Sequence, residues 1–256
     1  NSLEREDFVG YMDSLYSPEN MVLVFVGKLP ENITEMAKKY FSDLPKRSKF
    51  KPKAYKTEKQ TKPRINVYYK KTDQANLVLG VEGYDRFSSK RYAARVLGTI
   101  LGEGMSSRLF LQVRERRGLA YHVSAASGHY KDTGSFTVFA GLKLEKVMEG
   151  LEVIKDELAK IVLETVLEDE LKKAKEMIRG RLALRSESTN FLAEYFGVEY
   201  ILDRKIETFE EYLENIDKVT VKDVQDVAAE LFQKNRFNLQ VIGPFKSKEQ
   251  FEKILK

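Results

Sequence analysis

The chain of 256 residues has no cysteine, no tryptophan and only two histidines, His122 and His129. Without cysteine there can be no disulfide and no thiolate metal site, although the compartment is not thereby fixed. The histidines lie an odd seven positions apart, an offset that along one continuous strand would put them on opposite faces. No H-x-x-E-H or H-x-x-x-H pair occurs either, and no metal is expected to be bound by this chain. Long apolar runs are also lacking: none approaches the roughly 18 residues of a membrane span, so no membrane association is expected. The opening NSLEREDF carries neither an initiator Met nor a signal-peptide pattern. The natural N-terminus is therefore expected upstream, and the location is expected to be cytoplasmic.

The chain does have apolar residues for a sizeable core, at 42%, and charge in abundance, at 32%. The net charge of +5 raises the question of nucleic acid, and its distribution answers it. Residues 45–64, PKRSKFKPKAYKTEKQTKPR, hold nine Lys or Arg against one Glu, a local balance of +8 that leaves the rest of the chain at −3. Three prolines and that charge density read as an extended, solvated linker rather than a polyanion-binding arm, and no nucleic-acid partner is expected.

Two segments 216 positions apart share one pattern, EDFVGYMDSLYSPENMVLVFVG at 6–27 and KDVQDVAAELFQKNRFNLQVIG at 222–243. Each opens on a helix whose apolar positions form one stripe, with Phe8, Tyr11, Met12 and Leu15 matched by Val224, Val227, Ala228 and Leu231. A polar turn follows, then a strand at 21–26 or 237–242, closed by Gly27 or Gly243. A repeat this long means two similar domains in tandem, not a solenoid, whose period is roughly 20 to 50 residues. Residues 65–256 suffice for one whole domain, so residues 1–44 are expected to be the tail of a homologous first domain, joined by the linker at 45–64. The orphan helix, strand and helix of that tail are expected to expose apolar surface and a bare strand edge unless they dock or pair. A homo-oligomer is one way to cover them.

Within 65–256, strands are predicted at 65–71 and 76–84, as antiparallel neighbours, and at 119–127 and 134–142, with Gly134 at the turn between the latter two. Ser89 caps a helix that stops at Gly102 and Gly104; Ser106 or Ser107 caps a second, with Leu109, Phe110 and Val113 on its buried side and Gly118 at its end. Val147, Leu151, Ile154, Leu158 and Ile161 demand a long packed helix, and Leu167, Leu171, Ala174 and Ile178 another. A third is expected at 191–202, and Thr220 with Asp223 forms a capping box for the last. Strands, then helices, then one closing strand make an α+β fold: a mostly antiparallel sheet with helices layered on one face, to which the strand at 237–242 returns.

The segment LGEGMSSRLFLQVRERRGLAY at 101–121 places Arg114, near a helix end, and Tyr121, at the start of the next strand, on either side of one reversal at Gly118. Taken singly, Arg114 reads as a solvated helix charge and Tyr121 as a core aromatic. The glycine loop, Gly102, Gly104, Ser106 and Ser107, follows a helix and lacks the G-K-[ST] ending of a phosphate cradle, so its glycines are expected to serve a tight inter-helix turn.

That segment resembles the second-domain motif of the pitrilysin and insulinase-type zinc peptidases, which include mitochondrial-processing-peptidase-like bacterial enzymes. The resemblance extends along the chain: SPENMVLVFVGKL is similar to the end of that family's first domain, and ELKKAKEMIRGRLALRSES and TVKDVQDVAAELF are similar to later parts of its second. It implies two homologous domains closing around an unfolded peptide, with zinc held in the first by an H-x-x-E-H motif absent from this sequence. It also implies that Arg114 and Tyr121 hold the substrate backbone and support the tetrahedral intermediate, since a guanidinium or phenol placed there stabilises charge developing on oxygen. The resemblance therefore implies a C-terminal part of a zinc endopeptidase, inactive by itself, whose partners are peptide substrate and the missing N-terminal domain or a homologous subunit. A non-catalytic assembly or peptide-binding subunit of the same fold is the alternative.

Overall fold

The computed structural model describes residues 2–45, 53–56, 58–203 and 205–255, so much of the basic stretch at 45–64 lies outside the described residues. The chain forms two compact units, one of Tyr55–Arg179 with Leu213–Lys256 and a smaller one of Asn1–Ala54 with Gly180–Tyr212.

The larger unit is built on a five-stranded sheet of β1 (Arg64–Tyr69), β2 (Gln74–Glu82), β3 (Ala120–His129), β4 (Gly134–Lys143) and β5 (Asn238–Gly243), in the order β1-β5-β2-β4-β3. β2 is antiparallel to both β4 and β5, and β3 is antiparallel to β4. β1 runs parallel to β5. The closing strand does return to the sheet, but it enters between β1 and β2, so these two are not the neighbours the sequence suggested. Their link has no two-residue hairpin signal, and four residues (70–73) are long enough to step over one strand, about 10 Å at a strand spacing of about 4.8 Å.

Alternate residues of these strands are buried: Ala75, Leu77, Leu79 and Val81 on β2, Phe136, Val138, Ala140 and Leu142 on β4, and Leu239 and Val241 on β5. Against this face lie α3 (Lys90–Gly102), packed on β3 and β4, and α4 (Val147–Leu163), packed on β4. α8 (Val221–Leu231) packs on α3 and α4, and α9 (Glu249–Leu255) on α4. The expected helical stripe of α4 is buried at Val147, Leu151, Ile154, Leu158 and Ile161. α5 (Glu168–Ser186) buries Leu171, Ala174 and Ile178, whereas Leu167 lies just before the helix and is exposed. The capping box of α8 is present in both directions, the Asp223 amide donating to Thr220 Oγ1 (3.1 Å) and the Thr220 amide to Asp223 Oδ2 (2.8 Å). The Thr220 hydroxyl, which donates to Asp223 Oδ2 (2.6 Å), and then the Thr220 amide hold the Asp223 carboxyl below its ordinary pKa. α9 was not legible as a periodic segment: it is one short run after the last strand, anchored by Phe251, Ile254 and Leu255.

The smaller unit holds α1 (Arg5–Leu15), α2 (Ile33–Phe41), the end of α5, α6 (Thr189–Asp203) and the start of α7 (Phe209–Asp217), a helix the sequence reading did not anticipate. Phe191, Tyr195 and Phe196 gather around Phe209, with ring centroids 4.7 Å apart for the Tyr195 pair. A Cβ on Gly197 would come 3.3 Å from Val24 Cγ2, which shows how closely the 22–24 segment approaches α6. Residues 21–26 form no strand, contrary to expectation. A strand exists only through its ladder, and no partner strand for this segment occurs among the described residues. No helix among the described residues is long and apolar enough to cross a membrane.

Candidate functional site

The helix that follows the glycine loop does not continue as an α-helix. Phe110–Glu115 is a π-helical turn, in which the Arg116 amide donates to the Leu111 carbonyl five residues back (2.9 Å). Such turns insert one residue into the helical ladder and are common at functional sites. Gly118, at φ +58°, then takes the left-handed conformation that closes the helix. Its amide bonds the Arg114 carbonyl (3.0 Å) and the Leu119 amide reaches back to Val113 (2.9 Å), each bond one residue wider than in the usual Schellman closure. Leu109, Val113 and Leu119 are buried, so the inner side of this turn is fixed in the core.

Across the reversal, β3 begins with an irregularity of the same kind. Ala120 pairs with Leu142 and His122 with Gly141, so Tyr121 is an extra residue in the ladder. A β-bulge of this kind twists a strand and re-aims the side chain it carries. The two residues singled out from sequence thus sit on two single-residue insertions, one in a helix and one in a strand, on either side of Gly118. Both are exposed, Tyr121 by 58%, which removes the core-aromatic reading. The Arg114 guanidinium lies over the Phe110 ring, 5.1 Å from its centroid. One helical turn away, Phe110 presents a flat face that limits where the guanidinium can go.

The glycine loop is held by charge at both ends. Arg95 on α3 pairs with Glu103 through both guanidinium nitrogens, and Arg108, at the head of the helix, pairs bidentately with Glu170 on α5 (2.7 and 2.8 Å). The Arg108 and Glu170 side chains are only 17% and 27% exposed, and the carboxylate raises the Arg108 pKa further. Sequence reasoning missed this pair because its members lie 62 positions apart with no local signal. Arg108→Ala is expected to cost about 1.5–3 kcal/mol, the range for hydrogen bonds to charged groups. Urea unfolding checks it, and the swap Arg108→Glu with Glu170→Arg should recover part of the loss.

Within the loop, Gly104 at φ +83° makes the turn, as expected. Gly102 serves a different purpose: a Cβ there would lie 1.9 Å from the Ala125 amide nitrogen, so the glycine permits the end of α3 to touch the β3 backbone. Ser107 is buried and donates to the Gly104 carbonyl (2.8 Å), closing the loop on itself, while Ser106 is exposed.

The histidines fall on opposite faces. His122 is exposed beside Tyr121, its Nε2 3.2 Å from Ser124 Oγ, whereas His129 contacts the Tyr84 carbonyl through Nδ1 (2.7 Å) and burial lowers its pKa. Among the described residues no three His, Asp or Glu side chains gather where they could hold a metal ion. At the opposite end of the strands from Tyr121 lies a cleft of about 610 Å³, lined by Gln60, Asn66, Gly80, Thr137 and Asn238 among others.

Residues 2–178 match the family described as the peptidase M16 inactive domain. An uncharacterized zinc protease of Streptomyces coelicolor is 31% identical over 255 residues, covering 97% of this chain and 55% of that protein. One from Bacillus subtilis is 32% identical over 238 residues, 91% of this chain and 56% of its own length. The chain thus spans little more than half the length of these curated relatives. Among solved structures, a protease from Helicobacter pylori superposes with a TM-score of 0.82 at 24% identity, over 95% of this chain and 60% of that one, a likeness of fold. With its sheet, its helical layer and a match to the inactive domain over more than half its length, this chain belongs to the M16 peptidase family.

Proposed function

We propose that this chain is the non-metal half of a two-domain zinc endopeptidase. It binds an extended peptide and presents Arg114 and Tyr121 to the scissile carbonyl, while zinc and its ligands belong to a preceding domain. Residues 1–44 are then the tail of that first domain, 45–64 the linker and 65–256 the second domain. The observation that carries the reading is the pairing of a π-turn at Arg114 with a β-bulge at Tyr121. Two costly irregularities on either side of one glycine set a guanidinium and a phenol in the open, anchored from beneath by Leu109, Val113 and Leu119. During peptide hydrolysis negative charge develops on the carbonyl oxygen, and donors already in place stabilise it without reorganising.

The described residues do not suit a zinc site, since the two histidines face apart and no three His, Asp or Glu side chains gather where they could hold the ion. The family's description as an inactive domain and the relatives' names as zinc proteases support the division of labour. The repeat supports it too. α1 carries the stripe of α8, yet Phe8 and Tyr11 are 61% and 62% exposed where Val224 and Val227 are 0% and 2%. The stripe that α3 and α4 cover in one copy awaits a cover in the other.

The purified chain is expected to bind a fluorescein-labelled unfolded peptide in anisotropy titrations, to take up no stoichiometric zinc, and to leave the peptide intact. Zinc-dependent cleavage by the chain alone would overturn the division of labour. Failure to bind any unfolded peptide would instead favour a purely structural subunit.

A further inference from the structure

The sheet's open face is unusual for this chain. The register aligns Asn66, Gln240, Val78, Phe139 and Ser124 in one row across all five strands. The next row toward Tyr121 is Tyr68, Ile242, Asn76, Gly141 and His122. Neither row contains Lys, Arg, Asp or Glu, although 32% of the chain is charged. The exposed face of a half-buried sheet is ordinarily polar and charged. Here side-chain amides share the face with apolar groups, and Phe139 and Tyr68 stand 42% and 62% exposed. Charge depletion with exposed aromatics is the composition of a surface that becomes covered.

We propose that this face is a track for an extended polypeptide, with Asn66, Asn76 and Gln240 pairing to its main chain and Val78, Phe139 and Ile242 receiving its side chains. The proposal rests on the reading of Arg114 and Tyr121 given above and extends it to the flanking peptide. An amide side chain offers two donors and an acceptor, the same groups as a peptide bond, so such pairing is indifferent to sequence. The amides are already oriented: Asn66 Nδ2 donates to Gln240 Oε1 (2.8 Å), and Gln74 Nε2 to Asn76 Oδ1 (3.2 Å). Over Gly141, between His122 and Asn76, lies the Gln74 amide, whose Oε1 would stand 3.0 Å from a Cβ there, so an amide also covers the middle of that row.

Continuity fixes the direction. One row ends at His122, beside the bulged Tyr121, and toward the other end of the strands the same face deepens into the 610 Å³ cleft, whose lining adds the amides of Gln60 and Asn238 together with Glu82 and the Arg64–Glu58 ion pair. Asn238 Nδ2 donates to Gln60 Oε1 (3.1 Å), so the amide series reaches the cleft unbroken. At strand spacings of about 4.8 Å and about 3.3 Å per extended residue, the path from β3 to β1 accommodates about six residues. With no charge in either row, the occupant is an uncharged backbone, not a polyanion.

The test uses the purified chain and anisotropy with two labelled unstructured peptides, one of twelve residues and one of four. The double variant Asn66→Ala with Gln240→Ala, checked for an unchanged melting temperature, is expected to weaken the twelve-residue peptide about tenfold and the four-residue peptide hardly at all. Methylating the backbone nitrogens of the long peptide should cause a similar loss, and raising salt from 50 to 500 mM should change affinity less than twofold. If the double variant binds both peptides like the parent chain, while Arg114→Ala lowers kcat in an enzyme that joins this chain to a zinc-bearing first domain, the track is wrong and the reading of Arg114 stands. If Arg114→Ala and Tyr121→Phe leave kcat unchanged in an enzyme that joins this chain to a zinc-bearing first domain, while the double variant weakens the long peptide, the track stands and those two assignments fall. Should the double variant alter sedimentation instead of peptide binding, the face is an interface between copies and the proposal is overturned.

Discussion

Arg114→Ala, in an enzyme that joins this chain to a zinc-bearing first domain, is expected to lower kcat by about 10²–10³-fold, the usual cost of removing one donor to a developing oxyanion. Zinc content should be unchanged and KM should move little, because the interaction strengthens only in the transition state. Tyr121→Phe removes just the hydroxyl and is expected to lower kcat by about 10²-fold on the same argument. Arg114→Lys should rescue only in part, since an ammonium keeps the charge and loses the planar fork. Both side chains are exposed, so each variant should unfold within about 0.5 kcal/mol of the parent. Steady-state kinetics beside a metal assay decide the matter: turnover within twofold of the parent would remove the assigned roles.

Gly102→Ala is expected to be the most destabilising single methyl added to this chain's glycine loop. The new Cβ would stand 1.9 Å from the Ala125 nitrogen and 2.6 Å from the Ser124 carbonyl carbon, both backbone atoms of β3 that cannot swing aside. α3 must therefore lift from the sheet, and α3 holds Val96, Leu97, Ile100 and Leu101 in the core. A cost of about 3 kcal/mol or more follows, at the upper end for overpacking. Gly180→Ala, where nothing lies within 4 Å, is the control and should be neutral or slightly stabilising through helix propensity. Equal stability of the two variants in urea would show that α3 and β3 are less closely seated than described. Because the loop at 103–107 hangs from that helix end, Gly102→Ala should also displace the Arg108–Glu170 pair and weaken peptide binding.

Much of this was legible because it is local or periodic. The stripe of α4, the capping box at Thr220 and the strands β3 and β4 each follow from a few neighbouring residues, although Gly134 opens β4, paired with His129, and the turn falls at 130–133. The place of β5 was not legible in that way. Its alternation marks it as a strand, but which gap in the sheet it fills depends on pairing between residues about 170 positions apart, which no window of sequence contains. The segment at 21–26 makes the opposite point: its composition is that of a covered strand, and without partner strands it forms none among the described residues.

The candidate site divides along the same line. From the sequence alone came the identities of Arg114 and Tyr121, the reversal at Gly118, the lack of a metal-binding pair and the repeat that makes α1 a second α8. Tertiary structure alone decided that each of the two residues rides on an inserted residue, that Gly102 serves contact rather than a turn, and that Arg108 is clamped by Glu170. It also decided that amides from strands distant in the chain line one uncharged face. The physical reason is common to all four. A π-turn, a bulge, a backbone contact and a cross-strand row are each defined by which atoms meet across the fold, and residue type restricts those meetings without specifying them.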